Sequence, residues 1–174
     1  MVQTINPRRK SIRIPNYDYA QAGMYFVTIC THNRTPLFGA VVDGVMHLNA
    51  FGKIVELAWL DLPKHYPNMQ SDGFVVMPNH VHGIITLLPI EKPQERAGLK
   101  PAPTHVHGLF EMVRAFKTFS AKRVNQLRQT SGTSIWQRGY HEHIIRSDAS
   151  YLNIAEYIQT NPQRWSDDTY YVGS

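Results

Sequence analysis

Hydrophobic and polar positions change rhythm several times along this chain. Tyr25 to Thr31 (Tyr-Phe-Val-Thr-Ile-Cys-Thr) is aromatic and β-branched, which predicts a strand. Ala40 to Val42 and Val45 to His47 flank Asp43-Gly44. Asp-Gly between short apolar runs predicts a hairpin, because a type I′ turn needs positive φ at both central residues. Asn49 then stands as an N-cap before Phe51, Ile54, Val55, Ala58, Trp59 and Leu62. That spacing is one helical stripe, ended by Pro63 and Pro67. Phe74 to Met77 and His80 to Leu88 read as two further strands, with a bend at Pro78-Asn79.

A second long helix is predicted over 105–127, with Thr104 as N-cap. Leu109, Met112, Val113, Phe116, Phe119, Val124 and Leu127 form its apolar stripe, and Ser131-Gly132 ends it. Glu142 to Arg146 reads as a strand. Asp148 is read as the cap of a last helix in which Leu152, Ala155 and Ile158 form an apolar stripe and Asn153, Tyr157 and Asn161 a polar one; Pro162 stops it at Asn161. Strand, helix, two strands, helix, strand is the order of a ferredoxin-like α+β fold: an antiparallel sheet with helices on one face, here with an additional C-terminal tyrosine-bearing helix. The strand of His80 and His82 is expected at or next to the centre of the sheet, since Ile84, Ile85, Leu87 and Leu88 point to both faces. Residues 1–174 are read as one domain, with 1–20 a basic arm and 89–104 a flexible loop containing Pro89, Pro93, Pro101 and Pro103.

Composition narrows the function classes. The 174 residues carry 18 Lys+Arg against 13 Asp+Glu, a net charge of +5, which favours a polyanionic partner such as nucleic acid. The single cysteine, Cys30, excludes an internal disulfide framework and a cysteine-based zinc finger. No apolar run approaches the ~20 residues of a membrane span, and Met1 to Lys10 lacks an apolar signal core, so a cytoplasmic location is expected.

Among the nine histidines are three His-X-His pairs: His80/His82, His105/His107 and His141/His143. Residues i and i+2 share a face of a strand but lie on nearly opposite sides of a helix. Two strand imidazoles can therefore meet one ion, whereas His105/His107, at a predicted helix start, cannot. Periodicity does not choose between the other two pairs. Strand-end histidines with ordinary hydrogen bonds also satisfy it, as a surface tyrosine before a helix end satisfies the pattern at Tyr157.

Longer blocks carry more. Met77-Pro78-Asn79-His80-Val81-His82-Gly83-Ile84-Ile85 resembles the His-hydrophobic-His signature of the single-tyrosine (HUH) transposases, which move insertion sequences as single-stranded DNA. Trp136 to Arg146 is similar to a second block of that family, and Tyr157-Ile158-Gln159-Thr160-Asn161-Pro162 to its tyrosine-helix block. The nearest branch is that associated with repetitive extragenic palindromes (REP), and the resemblance runs from about Gly23 to Pro162.

This resemblance implies that Tyr157 is the nucleophile and that His80 and His82 are metal ligands. Asn161, where the insertion-sequence branch carries glutamine, is implied as the third ligand. The ion would be Mg²⁺ or Mn²⁺, the latter better suited to imidazole. Cleavage would leave a 5′-phosphotyrosine and a free 3′-hydroxyl. The partner would be single-stranded or hairpin DNA, its phosphates gripped by Arg8, Arg9, Lys10 and Arg13 and by Arg114, Lys117, Lys122 and Arg123. Glu142 and His143 match the family's acidic-His pair, with no role assigned, and His141 occupies a position that is commonly aromatic. A monomer or homodimer associated with the nucleoid is implied. Two rival readings use the same residues: a metal-dependent phosphodiesterase that activates water, and a non-catalytic nucleic-acid-binding module of ferredoxin-like fold. Only the transposase needs Tyr157 as a nucleophile.

Overall fold

The computed structural model describes residues 17–89 and 107–172. Arg8, Arg9, Lys10, Arg13, Thr104, His105 and nearly all of the 89–104 loop lie outside the described residues. Strand β1 (Gly23–Cys30) is followed by a hairpin of β2 (Gly39–Val42) and β3 (Val45–Leu48), helix α1 (Ala50–Leu60) and a short α2 (Leu62–His65). Then come β4 (Met69–Met77), β5 (His80–Leu87), α3 (Leu109–Leu127), β6 (His141–Ile145) and α4 (Asp148–Thr160), which runs on into a 3₁₀ segment (Asn161–Asp167). The main sheet has the order β4-β5-β1-β6, antiparallel throughout, and β2-β3 form a separate ribbon. This is the ferredoxin-like topology, with β5 interior as its two-sided apolar pattern requires.

Local chemistry accounts for most boundaries. Asp43 and Gly44 have φ of 51° and 74°, the positive values that the hairpin turn demands. Asn49 Oδ1 accepts from the amides of Phe51 at 2.9 Å and Gly52 at 3.0 Å, capping α1. Pro63 does not end the helical region but sits in the first turn of α2, where a missing N–H costs nothing. Ser147, not Asp148, caps α4, its hydroxyl accepting from the Ser150 amide at 3.2 Å. Pro162 likewise opens the 3₁₀ segment.

α3 departs further from the pattern. It begins after Gly108, not at residue 105; the Leu109 amide donates to the Tyr19 carbonyl at 3.1 Å. Phe119 and Leu127, counted in its apolar stripe, are 55% and 52% exposed. Ser120 takes the core position instead, donating to the Phe116 carbonyl at 2.6 Å and accepting from Trp136 Nε1 at 3.0 Å. A hydroxyl satisfied on both sides can be buried where the pattern asks for an apolar residue.

The sheet has two working faces. Tyr25, Val27, Ile29, Val81, Ile85 and Leu87 form the main core with Val55, Ala58 and Trp59 of α1 and Leu109, Met112, Val113 and Phe116 of α3. Trp59 lies flat on Phe74, ring centroids 4.5 Å apart, and over Gly83, where any Cβ would collide with the indole. On the other face Ile84, Ile145 and Ile158 join Met24, Phe26, Val75, Ile154 and Ala155, so α4 packs opposite α1 and α3. No helix among the described residues is long and apolar enough to cross a membrane.

A candidate metal and nucleophile site under the C-terminal helix

Alternation along β5 sends Val81 and Gly83 to the main core and His80, His82 and Ile84 to the α4 face. The two imidazoles are 0% and 1% exposed, buried more deeply than strand-end residues would be. Their Nε2 atoms face each other at 3.0 Å, and each Nδ1 is held from behind, His80 by Asn79 Oδ1 and His82 by Thr28 Oγ1, both at 2.8 Å. Phe26 stacks on the His82 ring at 5.3 Å, and Tyr170 lies 4.7 Å from that of His80. With both rings anchored through Nδ1, the Nε2 pair is the part left to act.

Helix α4 delivers the tyrosine. Its sheet-facing side is Tyr151, Ile154, Ala155 and Ile158, whereas Leu152, counted in the predicted stripe, is 63% exposed. Tyr157 is therefore half-buried against the sheet and not on a separate polar face. Its hydroxyl lies 3.2 Å from His82 Nε2 and donates to Asp168 Oδ2, also at 3.2 Å. Asn161 is 2% exposed; its Nδ2 donates to the same Asp168 oxygen at 2.7 Å, and its Oδ1 is buried with no hydrogen-bond partner among the described residues.

Asp168 was not foreseen. It follows the 3₁₀ segment, where no periodicity marks one aspartate of Asp167-Asp168 over the other. One ligand atom each from His80, His82 and Asp168 lie within 4.8 Å of one another. Two imidazole nitrogens and a carboxylate offer a mixed nitrogen and oxygen donor set of the kind that suits Mn²⁺ and, less well, Mg²⁺, and Asn161 meets it through its Nδ2 hydrogen bond to Asp168.

The electrostatics follow from burial. Desolvation, with the Arg34 charge added, pushes His80 down to about 3. His82 is held well below the usual histidine range by desolvation and by His80. Both rings are thus neutral at pH 7, as metal ligands must be. The Tyr157 phenol is raised above its ordinary value, first by burial and then by the Asp168 carboxylate. A sign follows for stability. In the unfolded chain both histidines take up protons below about 6.5, whereas in the metal-free folded protein they resist until far lower. Stability is therefore complete above pH 6.5 and falls as pH drops towards 3, by up to about 1.4 kcal/mol per pH unit for each ring. Urea unfolding across that range should show the slope, and a His80→Ala/His82→Ala protein should flatten it.

The remaining singled-out residues are outside this cluster, although the register of β6 on β1 sets His141 beside Thr28 and His143 beside Phe26, on the site's face of the sheet. His141 and His143 are exposed on β6, and Glu142, between them, points to the opposite face of the sheet. His107 bonds Glu111 at 2.8 Å. Arg114, Lys117, Lys122 and Arg123 ride on α3, across the sheet from the histidines. Lys117 Nζ donates to the carbonyls of Gln137 at 2.7 Å and Gly139 at 2.9 Å. Arg123 pairs loosely with Asp61 at 3.6 Å, and Lys122 lines a shallow depression with Asn125, Gln126 and Gln129.

No protein-family model matches the chain. It is 41% identical over 171 residues to an uncharacterised protein of Haemophilus influenzae strain Rd, covering 94% of this chain and 93% of the relative. It is 27% identical over 145 residues to a second protein of that strain, named "Putative REP-associated tyrosine transposase", covering 83% of this chain and 73% of the relative. Among solved structures, a REP-associated tyrosine transposase bound to a REP hairpin matches with a TM-score of 0.56 and 21% identity, over 88% of this chain and 74% of the other. The resemblance carried by the three sequence blocks is therefore also a likeness in fold.

Proposed function

We propose that this chain, a relative of the REP-associated tyrosine transposases in sequence and fold, cleaves and rejoins single-stranded DNA through a 5′-phosphotyrosine on Tyr157. The observation that carries this reading is the Tyr157 hydroxyl 3.2 Å from His82 Nε2, itself 3.0 Å from His80 Nε2. The candidate nucleophile thus adjoins the candidate cation ligands. His80 and His82 would hold the cation, Mg²⁺ or Mn²⁺, with Asn161 as a third ligand, and Asp168 is left as the acceptor of the Tyr157 proton. When bound, such a cation polarises the scissile phosphate and offsets transition-state charge.

The protein's own groups do the rest. The Tyr157 oxygen bonds to phosphorus as the bond from phosphorus to the 3′ oxygen breaks. The phenolic proton passes to Asp168 Oδ2, to which the hydroxyl already donates, and the departing 3′ oxygen takes a proton from solvent. Phe26 supports the His82 ring and Asn161 holds the Asp168 carboxylate in place. The phosphodiester is exchanged and not lost, so rejoining needs no nucleotide triphosphate.

The substrate class we carry over is hairpin DNA, since the solved relative holds a REP hairpin. Arg8, Arg9, Lys10 and Arg13 are the arm that grips phosphates. The cations of α3 stand on the other side of the sheet, so Arg114, Lys117, Lys122 and Arg123 would contact DNA away from the scissile phosphate. The protein would act on the nucleoid, in the cytoplasm.

Incubation with a single-stranded hairpin oligonucleotide and Mn²⁺ tests the reading. A protein–DNA adduct that survives denaturing electrophoresis is expected, with a free 3′-hydroxyl on the released strand. Cleaved DNA with no adduct would instead indicate the water-using phosphodiesterase, and binding without cleavage the non-catalytic module.

A further inference from the structure

We propose that Asn79 is a positioning residue that sets the tautomer of His80 and so presents its Nε2 lone pair to the site. The inference rests on the metal-site reading above and adds a residue to it. Asn79 occupies the turn between β4 and β5 and is 0% exposed. Its Nδ2 donates to the carbonyls of Tyr170 at 2.7 Å and Arg34 at 3.2 Å. Both amide hydrogens are used, and flipping the amide would set its oxygen against two carbonyl oxygens. Its orientation is fixed by these partners.

Asn79 Oδ1, an acceptor only, then faces His80 Nδ1 at 2.8 Å. The proton of the neutral ring must lie on Nδ1, which leaves Nε2 bare. The residue is anchored at the backbone as well: its carbonyl accepts from the Thr31 amide at 2.8 Å and the Thr31 hydroxyl at 3.0 Å, tying the turn to the end of β1.

His82 is backed differently. Thr28 Oγ1, 2.8 Å from its Nδ1, is a hydroxyl that can donate or accept by rotating. In the metal-free protein the 3.0 Å contact between the two Nε2 atoms needs one proton, and with His80 fixed it must come from His82. His82 can surrender that proton to become a ligand, because Thr28 accepts from its Nδ1 equally well. One ring is locked and the other adaptable.

Two variants separate this role from a merely structural tether. Asn79→Asp keeps an acceptor for His80 Nδ1 but loses both amide donors; Asn79→Leu loses both functions. The readouts are the histidine tautomers, from ¹⁵N NMR of the metal-free protein, and Mn²⁺ affinity by calorimetry without DNA. The wild type should show His80 protonated on Nδ1 and His82 on Nε2. Asn79→Asp should keep the His80 tautomer and bind Mn²⁺ within a few-fold of wild type. Asn79→Leu should lose the Nδ1–H signal and bind about 10–100-fold more weakly. Should Asn79→Leu not fold, Asn79→Asp decides: loss of the tautomer there overturns the proposal. So does an Asn79→Leu protein that keeps the tautomer and full Mn²⁺ affinity. A wild type with the expected tautomers that binds no Mn²⁺ would sink the metal reading and leave the tautomer assignment standing.

Discussion

Tyr157→Phe is expected to abolish covalent adduct formation and to slow strand cleavage by more than about a thousandfold, while hairpin binding changes less than about twofold. The substitution removes one oxygen and keeps the ring, whose edge contact with Phe26 at 6.2 Å persists. Asp168 loses one donor but keeps Asn161 Nδ2 and the Tyr170 amide, the latter at 2.7 Å, so its carboxylate stays in place. The stability cost should be about that of one hydrogen bond, ~1 kcal/mol. Quenched-flow cleavage with gel-shift binding on the same oligonucleotide separates the two effects. Near wild-type nicking by the Tyr157→Phe protein, with hydrolysed ends, would refute the tyrosine mechanism.

Replacing both His80 and His82 with alanine should eliminate Mn²⁺ binding by calorimetry and with it all metal-dependent cleavage. Histidines at a frayed strand end could be lost at no cost, but these two are buried between β5, Phe26 and Tyr170. Their removal leaves a cavity, and about 2–4 kcal/mol of destabilisation is expected, read as a lowered melting temperature. His141→Ala is the control: that ring is exposed on β6, and neither metal binding nor stability should move. Loss of Mn²⁺ binding in His141→Ala, with the double variant unaffected, would mean that the wrong pair has been identified.

How far these features can be read from sequence depends on whether short-range chemistry decides them. The Asp43-Gly44 turn and the Asn49 cap are local, and the structure realises both. So is the alternation that makes β5 an interior strand and gives it two faces. Phe119 and Leu127 mislead because helical periodicity reports apolar residues, not what lies opposite them, and Ser120 is buried through partners on distant segments. The site divides the same way. His80 and His82 share a strand face by geometry alone, but periodicity offers His141/His143 as an equal, and the longer sequence blocks point to the first pair. Asp168 is invisible because its importance comes from a chain reversal after α4 that returns it to Tyr157 and Asn161. Asn79 reads from sequence as no more than a bend; its two carbonyl partners lie 45 and 91 residues away along the chain.

The two faces of β5 also bear on how such a protein can decay. Val81, Gly83 and Ile85 sustain the main core, while His80 and His82 serve the site and are reached only from the α4 side. If the proposed chemistry holds, a lineage no longer selected for it could lose Tyr157 by a single substitution that barely touches the machinery of folding. What would remain is a stable, basic fold with its sheet and both hydrophobic clusters in place. On the proposed reading the chemistry hangs on one hydroxyl of α4 that neither core cluster needs, so survival of the fold says little about survival of the activity.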